Sequence, residues 1–88
     1  MSGAATNDAS ALALRALAAS LGDQRLAERF LSLSGIDPPD LRQRAGDPIL
    51  LAALLRFLEA HEPDLVAIAE ELGVKPGALV TARVELER

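Results

Sequence analysis

Asp47-Pro48-Ile49-Leu50-Leu51-Ala52-Ala53-Leu54-Leu55-Arg56-Phe57-Leu58-Glu59-Ala60-His61 is the stretch that decides the fold of this 88-residue chain. Asp47 can accept the first free backbone N–H groups, Pro48 fits the first helical position, and Ala and Leu fill the interior. Between residues 49 and 58 only Arg56 is polar. A helix apolar on nearly every side belongs in the middle of a helical domain, across a membrane or against a partner. The uncharged run at residues 49–55 falls far short of the roughly 20 residues that span a bilayer, so no membrane association is expected.

Outward from that helix, glycine and proline punctuate the chain at short intervals. Asn7 or Asp8 is read as the cap of a first helix ending at Gly22, with Leu14, Leu17 and Leu21 on its buried face and residues 1–7 as a disordered tail. Asp23 caps a second helix through Ser34, with Leu26, Phe30 and Leu33 inward and Arg25, Glu28, Arg29 and Ser32 outward. Gly35 stands where a left-handed C-terminal cap is wanted. Asp37-Pro38 starts a short third helix carrying Leu41 and ending near Gly46. After the central helix, Glu62-Pro63 opens a fifth, burying Leu65, Ile68, Ala69 and Leu72, exposing Asp64, Glu70 and Glu71, and closing at Gly73. In the last segment Leu79, Ala82 and Leu86 have helical spacing, yet residues 80–87 also alternate like a strand. A strand would have no partner in this chain, so helix is preferred. The fold class is therefore all-α, with residues 8–88 as one domain of about six short helices around the central one.

Gly35-Ile36-Asp37-Pro38-Pro39-Asp40-Leu41 and Gly73-Val74-Lys75-Pro76-Gly77-Ala78-Leu79 share a pattern at a spacing of 38 residues. At that spacing Leu12 and Leu17 fall on Leu50 and Leu55, while Leu21 falls on Glu59. Two readings stand side by side: two pseudo-repeats of three helices, with the first and central helices as counterparts, or the ordinary recurrence of Pro and Gly at helical corners.

Composition narrows the chemistry. Half the residues are hydrophobic and a quarter charged, a globular balance; with aromatics at 2%, the core must be built from Leu, Ala, Val and Ile. The absence of cysteine removes disulfides, thiolate metal sites and thiol catalysis. With an N-terminus that does not read as a signal peptide, it points to the cytoplasm. The net charge of −4 resides wholly after residue 44, which opposes non-specific attraction to nucleic acid.

His61 is the single histidine. His61-Glu62 begins like a zincin motif, but Leu65 occupies the second ligand position and Pro63 interrupts the helix. The plain role is at the C-terminal end of the central helix, beside its last carbonyls. Asp8, Asp23, Asp37, Asp47 and Glu62 stand at predicted helix starts, where each cap is worth on the order of 1 kcal/mol without any catalysis. Ser20, Ser32 and Ser34 lack a nucleophile-elbow setting, and no phosphate loop is present. The expectation is that the chain is not an enzyme and takes no cofactor or metal.

Two binding surfaces remain. Leu51, Leu54, Leu55 and Leu58 would form an interaction surface for a protein partner or a second copy if the short helices leave one side of the central helix uncovered. The corner at Gly73 resembles a DNA-binding helix-turn-helix, for which Lys75, Thr81 and Arg83 are the contact candidates; this is the weaker alternative, since that segment is acidic and offers few donors.

The span from Phe30 through Gly35-Ile36-Asp37-Pro38 to Ala45-Gly46-Asp47-Pro48, together with the Leu-rich helix and its Phe57-Leu58, resembles the bacterial family DUF3572, a domain of unknown function. The likeness covers nearly the whole chain after the first few residues. It implies a small, all-helical cytoplasmic protein and supplies no activity, ligand or catalytic residue.

Overall fold

Asp47 accepts a hydrogen bond from the Ile49 amide at 2.9 Å and Pro48 takes the first helical position, so the central helix starts where its sequence dictates. The computed structural model describes the backbone of residues 2–88 and the side chains of residues 8–88. Among these are six helices and no strand: α1 Ser2–Leu21, α2 Gln24–Ser34, α3 Pro38–Gln43, α4 Pro48–Glu59, α5 Glu62–Leu72 and α6 Pro76–Leu86. The last segment is helix, as preferred. The radius of gyration of 12.0 Å equals the roughly 12 Å expected of a single folded body of this length.

α4 packs against α1, α5 and α6. Leu50, Leu51, Ala52, Leu54, Leu55 and Leu58 are buried, and its exposed positions are Pro48, Ile49, Ala53 and Arg56. The proposed surface of Leu51, Leu54, Leu55 and Leu58 is therefore core: three neighbouring helices suffice to enclose the helix, and none of these side chains is free to meet a partner within the folded monomer.

Three further expectations are corrected. α1 begins at Ser2, so the backbone of residues 2–7, read as a tail, is helical, and Asn7 and Asp8 lie within the helix. Ala4 and Ala5 favour helix, and no proline halts it; Met1 lies outside the described residues. The buried face of α1 is Ala9, Ala13, Ala16, Leu17 and Ser20, while Leu14 and Leu21 remain 45% and 40% exposed. Small side chains on this face admit the leucines of α4 and the close approach of α6, and the Ser20 hydroxyl is satisfied by the Ala16 carbonyl at 2.8 Å. On α2, Leu26 and Phe30 are buried as expected, but Leu33 is 75% exposed because no helix covers that edge.

The two corners have nearly the same backbone. Gly35 and Gly73 are left-handed, with φ of 71° and 72°, a conformation that glycine adopts without Cβ strain. Asp37 and Lys75 then turn the chain at φ −76°, ψ 148° and φ −78°, ψ 148° into a proline-initiated helix. At the spacing of 38 residues, Ala13, Ala16, Leu17 and Ser20 fall on Leu51, Leu54, Leu55 and Leu58, Phe30 on Ile68, and Leu41 on Leu79; all of these are buried. The equivalence ends at the third helix of each half, where α3 has 6 residues and α6 has 11.

Candidate functional site

Asp64 is the one buried acid among the described residues, 6% exposed. It lies one helical turn before Ile68 and so shares the inward face of α5, which corrects its assignment to the exposed side. Its Oδ2 accepts from Arg29 Nη1 and from His61 Nδ1, each at 2.8 Å. A carboxylate only accepts, so His61 carries its proton on Nδ1 and turns Nε2 away from the bond. The imidazole consequently serves Asp64 rather than the last carbonyls of α4. Burial pushes the Asp64 carboxyl up, but the Arg29 and His61 hydrogen bonds and their charges outweigh it and hold it below the ordinary carboxylate value.

Arg29 also lies over the Phe57 ring, 5.3 Å from its centroid, and Phe57 meets Phe30 edge-on at 5.4 Å. The chain's two aromatic rings and this ion pair thus fasten α2 to α4 and α5. Arg15 adds a bond from α1 to the C-terminal end of α5, donating Nη2 to the Leu72 carbonyl at 3.1 Å. The Asp64 constellation has an acid and an imidazole but no neighbouring nucleophile in its hydrogen bonds, and its geometry is that of a fastening. Among the described residues no three His, Cys, Asp or Glu side chains gather as a metal site.

Also at the C-terminal end of α4, Arg83 reaches Glu59 through Nε and Nη2 at 2.7 and 3.1 Å and Glu87 through Nη1 at 2.9 Å, while Arg56 Nη2 donates to Glu87 at 2.9 Å. These bonds hold the Arg83 guanidinium charged beyond its ordinary range and depress the Glu87 carboxyl. Arg83 is thereby committed to the α4–α6 seam. Of the other DNA-contact candidates, Lys75 is exposed ahead of the first turn of α6, and Thr81 borders a shallow groove with Asp8 and Glu85. Thr81 and Arg83, two positions apart on one helix, diverge by about 160° around its axis. The three candidates do not form one face.

An open apolar groove lies between α1 and α3. Leu14, Leu17, Ala18, Leu21, Leu41, Arg42 and Ala45 line a space of about 270 Å³. Leu17 and Leu41 form its floor, and the half-exposed Leu14 and Leu21 form one wall. Sequence reasoning missed this surface because it placed Leu14 and Leu21 in the core. The available signal was the failed pairing of Leu21 with Glu59 in the internal echo, which sets a leucine where the other half carries a charge.

The family model described as protein of unknown function (DUF3572) matches residues 6–88, and the chain belongs to that family. No curated protein and no solved structure matches it. No helix among the described residues is long and apolar enough to cross a membrane.

Proposed function

We propose that this DUF3572 member is a non-enzymatic protein-interaction module of the bacterial cytoplasm, and that its working surface is the α1–α3 groove. The observation that carries the reading is the pair Leu14 and Leu21, left 45% and 40% exposed beside the buried Leu41 in a concave, almost uncharged setting. Small domains bury such side chains where they can, and contiguous exposed aliphatics at a concavity mark recognition surfaces. The ionisable clusters elsewhere are joined into fastenings between helices, which supports a scaffold in preference to catalysis.

The test is site-specific photo-crosslinking in the native host. A photoreactive residue at Ala18, within the groove, is expected to give one discrete adduct that disappears with Leu21→Glu, whereas one at Glu70, on the outer side of α5, gives none. Adducts of equal yield at both positions, or none at Ala18, would refute the reading. Titration with duplex DNA at low salt addresses the alternative: a mobility shift abolished by Lys75→Ala would favour nucleic-acid binding.

A further inference from the structure

We infer that the α1–α3 groove receives an amphipathic helix of a partner protein, one that lays an aliphatic stripe on Leu14, Leu21, Leu41 and Ala45 and sets a carboxylate against Arg42. This rests on the interaction reading above and specifies the chemistry of the partner.

The second half of the chain supplies an internal standard. There, the α4–α6 seam is edged by Arg56, Glu59, Arg83 and Glu87, joined in one set of ion pairs. At the spacing of 38 residues their counterparts are Ala18, Leu21, Ala45 and Ile49. Arg56, Glu59 and Arg83 are thus matched by apolar residues that precede α4, and Glu87 by Ile49 of α4 itself. Ala18, Leu21 and Ala45 line the groove, while Ile49 stands outside it at the head of α4.

The element that lies along the ion-paired part of the α4–α6 seam is a helix, while an open groove of about 430 Å³ remains between Ile49, Ala53 and Leu86 at its edge. α6 runs from Pro76 to Leu86, whereas α3 stops at Gln43 and the chain turns through Gly46 and Asp47 into α4. α3 therefore lacks the turns corresponding to residues 82–86, whose continuation carries Arg83 and Glu87 onto α4. The first half keeps the apolar bed and lacks the helix that would lie along it. Leu14 and Leu21 are two turns apart, about 10 Å, a span suited to the i, i+4, i+7 stripe of a docked helix.

Charge sets the flank of the ligand. Arg42 is the single charged residue lining the groove, and among the described residues it makes no ion pair. A carboxylate on the approaching helix would gain a charge-assisted bond there.

The probe is a fluorescent, side-chain-stapled helical peptide with leucines at i, i+4 and i+7 and flanking glutamates, compared by anisotropy with the same peptide bearing lysines. The glutamate peptide is expected to bind saturably and more tightly than the lysine peptide. Leu21→Glu with Ala45→Arg, which copies the sealing pair of the other half, should weaken it about tenfold or more. Arg42→Glu should reverse the preference between the peptides. Should the double variant not fold, Ala18→Arg at an exposed position replaces it. Equal binding of both peptides, or binding indifferent to these substitutions, overturns the inference. So does a dimer in sedimentation velocity that Leu21→Glu dissociates, since a second copy would then fill the groove. An Ala18 adduct formed with a host protein while both peptides fail retains the interaction reading and removes the acidic helix; loss of both removes both.

Discussion

Asp64→Asn is the substitution that most directly tests how the helices are fastened. It keeps the shape of the side chain and a carbonyl oxygen for Arg29, but removes the charge to which both Arg29 and His61 are bonded. A hydrogen bond to a charged group contributes about 1.5–3 kcal/mol when well shielded. Here the acceptor is shielded but the Arg29 side chain is 40% exposed and His61 more so, which lets both donors recover water. The expected loss at pH 7 is therefore about 1–2 kcal/mol in all, or a fall in Tm of about 4–16 °C for a domain of this size. The acid limb gives a second signature. Because the folded carboxyl is held below its ordinary value of 3.8, its contribution is fully present above that value and is lost as pH falls towards the folded pKa. Urea titrations between pH 7 and pH 2.5 should show the wild-type advantage over Asp64→Asn shrinking below about pH 4. A variant within about 0.5 kcal/mol of wild type at pH 7, or a gap that persists undiminished under acid, would refute the account.

Leu54→Ala should cost about 2–5 kcal/mol by urea unfolding, since the side chain is fully enclosed, whereas Leu33→Ala at the open edge of α2 should stay within about 0.5 kcal/mol; similar costs would refute the assigned core. Gly35→Ala and Gly73→Ala should each lose about 1–2 kcal/mol from forcing a Cβ into the left-handed region, although nothing lies within 4 Å of either site to clash with it. Gly46→Ala, also in open space but without positive φ, is the control and should be close to neutral.

The helices were legible because punctuation is local. Asp23, Asp47, Gly35 and Gly73 act within a turn of themselves, so their roles follow from neighbours in sequence. Which face of α1 is buried was not legible in the same way. Hydrophobicity favours Leu14, Leu17 and Leu21, but the adjoining helices bring large leucines, and the space left beside them suits alanine and serine. Asp64 was misplaced for a related reason: its partner Arg29 lies 35 residues away, and a carboxylate without a visible partner is read as solvated. The echo held more than was drawn from it, since Asp64 falls at the spacing of 38 residues on the buried Leu26, which marks the position as inward. The groove needed both halves superposed, because an exposed leucine such as Leu21 carries meaning only beside a charged counterpart.

Magnitudes limit what such a groove can do alone. Full burial of a leucine is worth about 1.5–3 kcal/mol, and Leu14 and Leu21 have somewhat under half of that still to gain, so together they offer an arriving helix on the order of 1–3 kcal/mol. One charge-assisted bond at Arg42 adds about 1 kcal/mol, against an association cost of at least about 4 kcal/mol. The groove's own side chains therefore do no more than offset that cost, so a short helix that touches only the groove draws its net affinity from the leucines it buries itself and binds weakly, and stapling helps mainly by removing the ordering cost. A natural partner of higher affinity has to extend beyond the groove. Outside the groove, Leu33 and Ile49, exposed at 75% and 76%, are the large apolar side chains with most left to bury. Sub-micromolar binding by a groove-only peptide would contradict this arithmetic, whereas a native partner that also protects Leu33 or Ile49 from solvent would account for an affinity that the groove cannot supply.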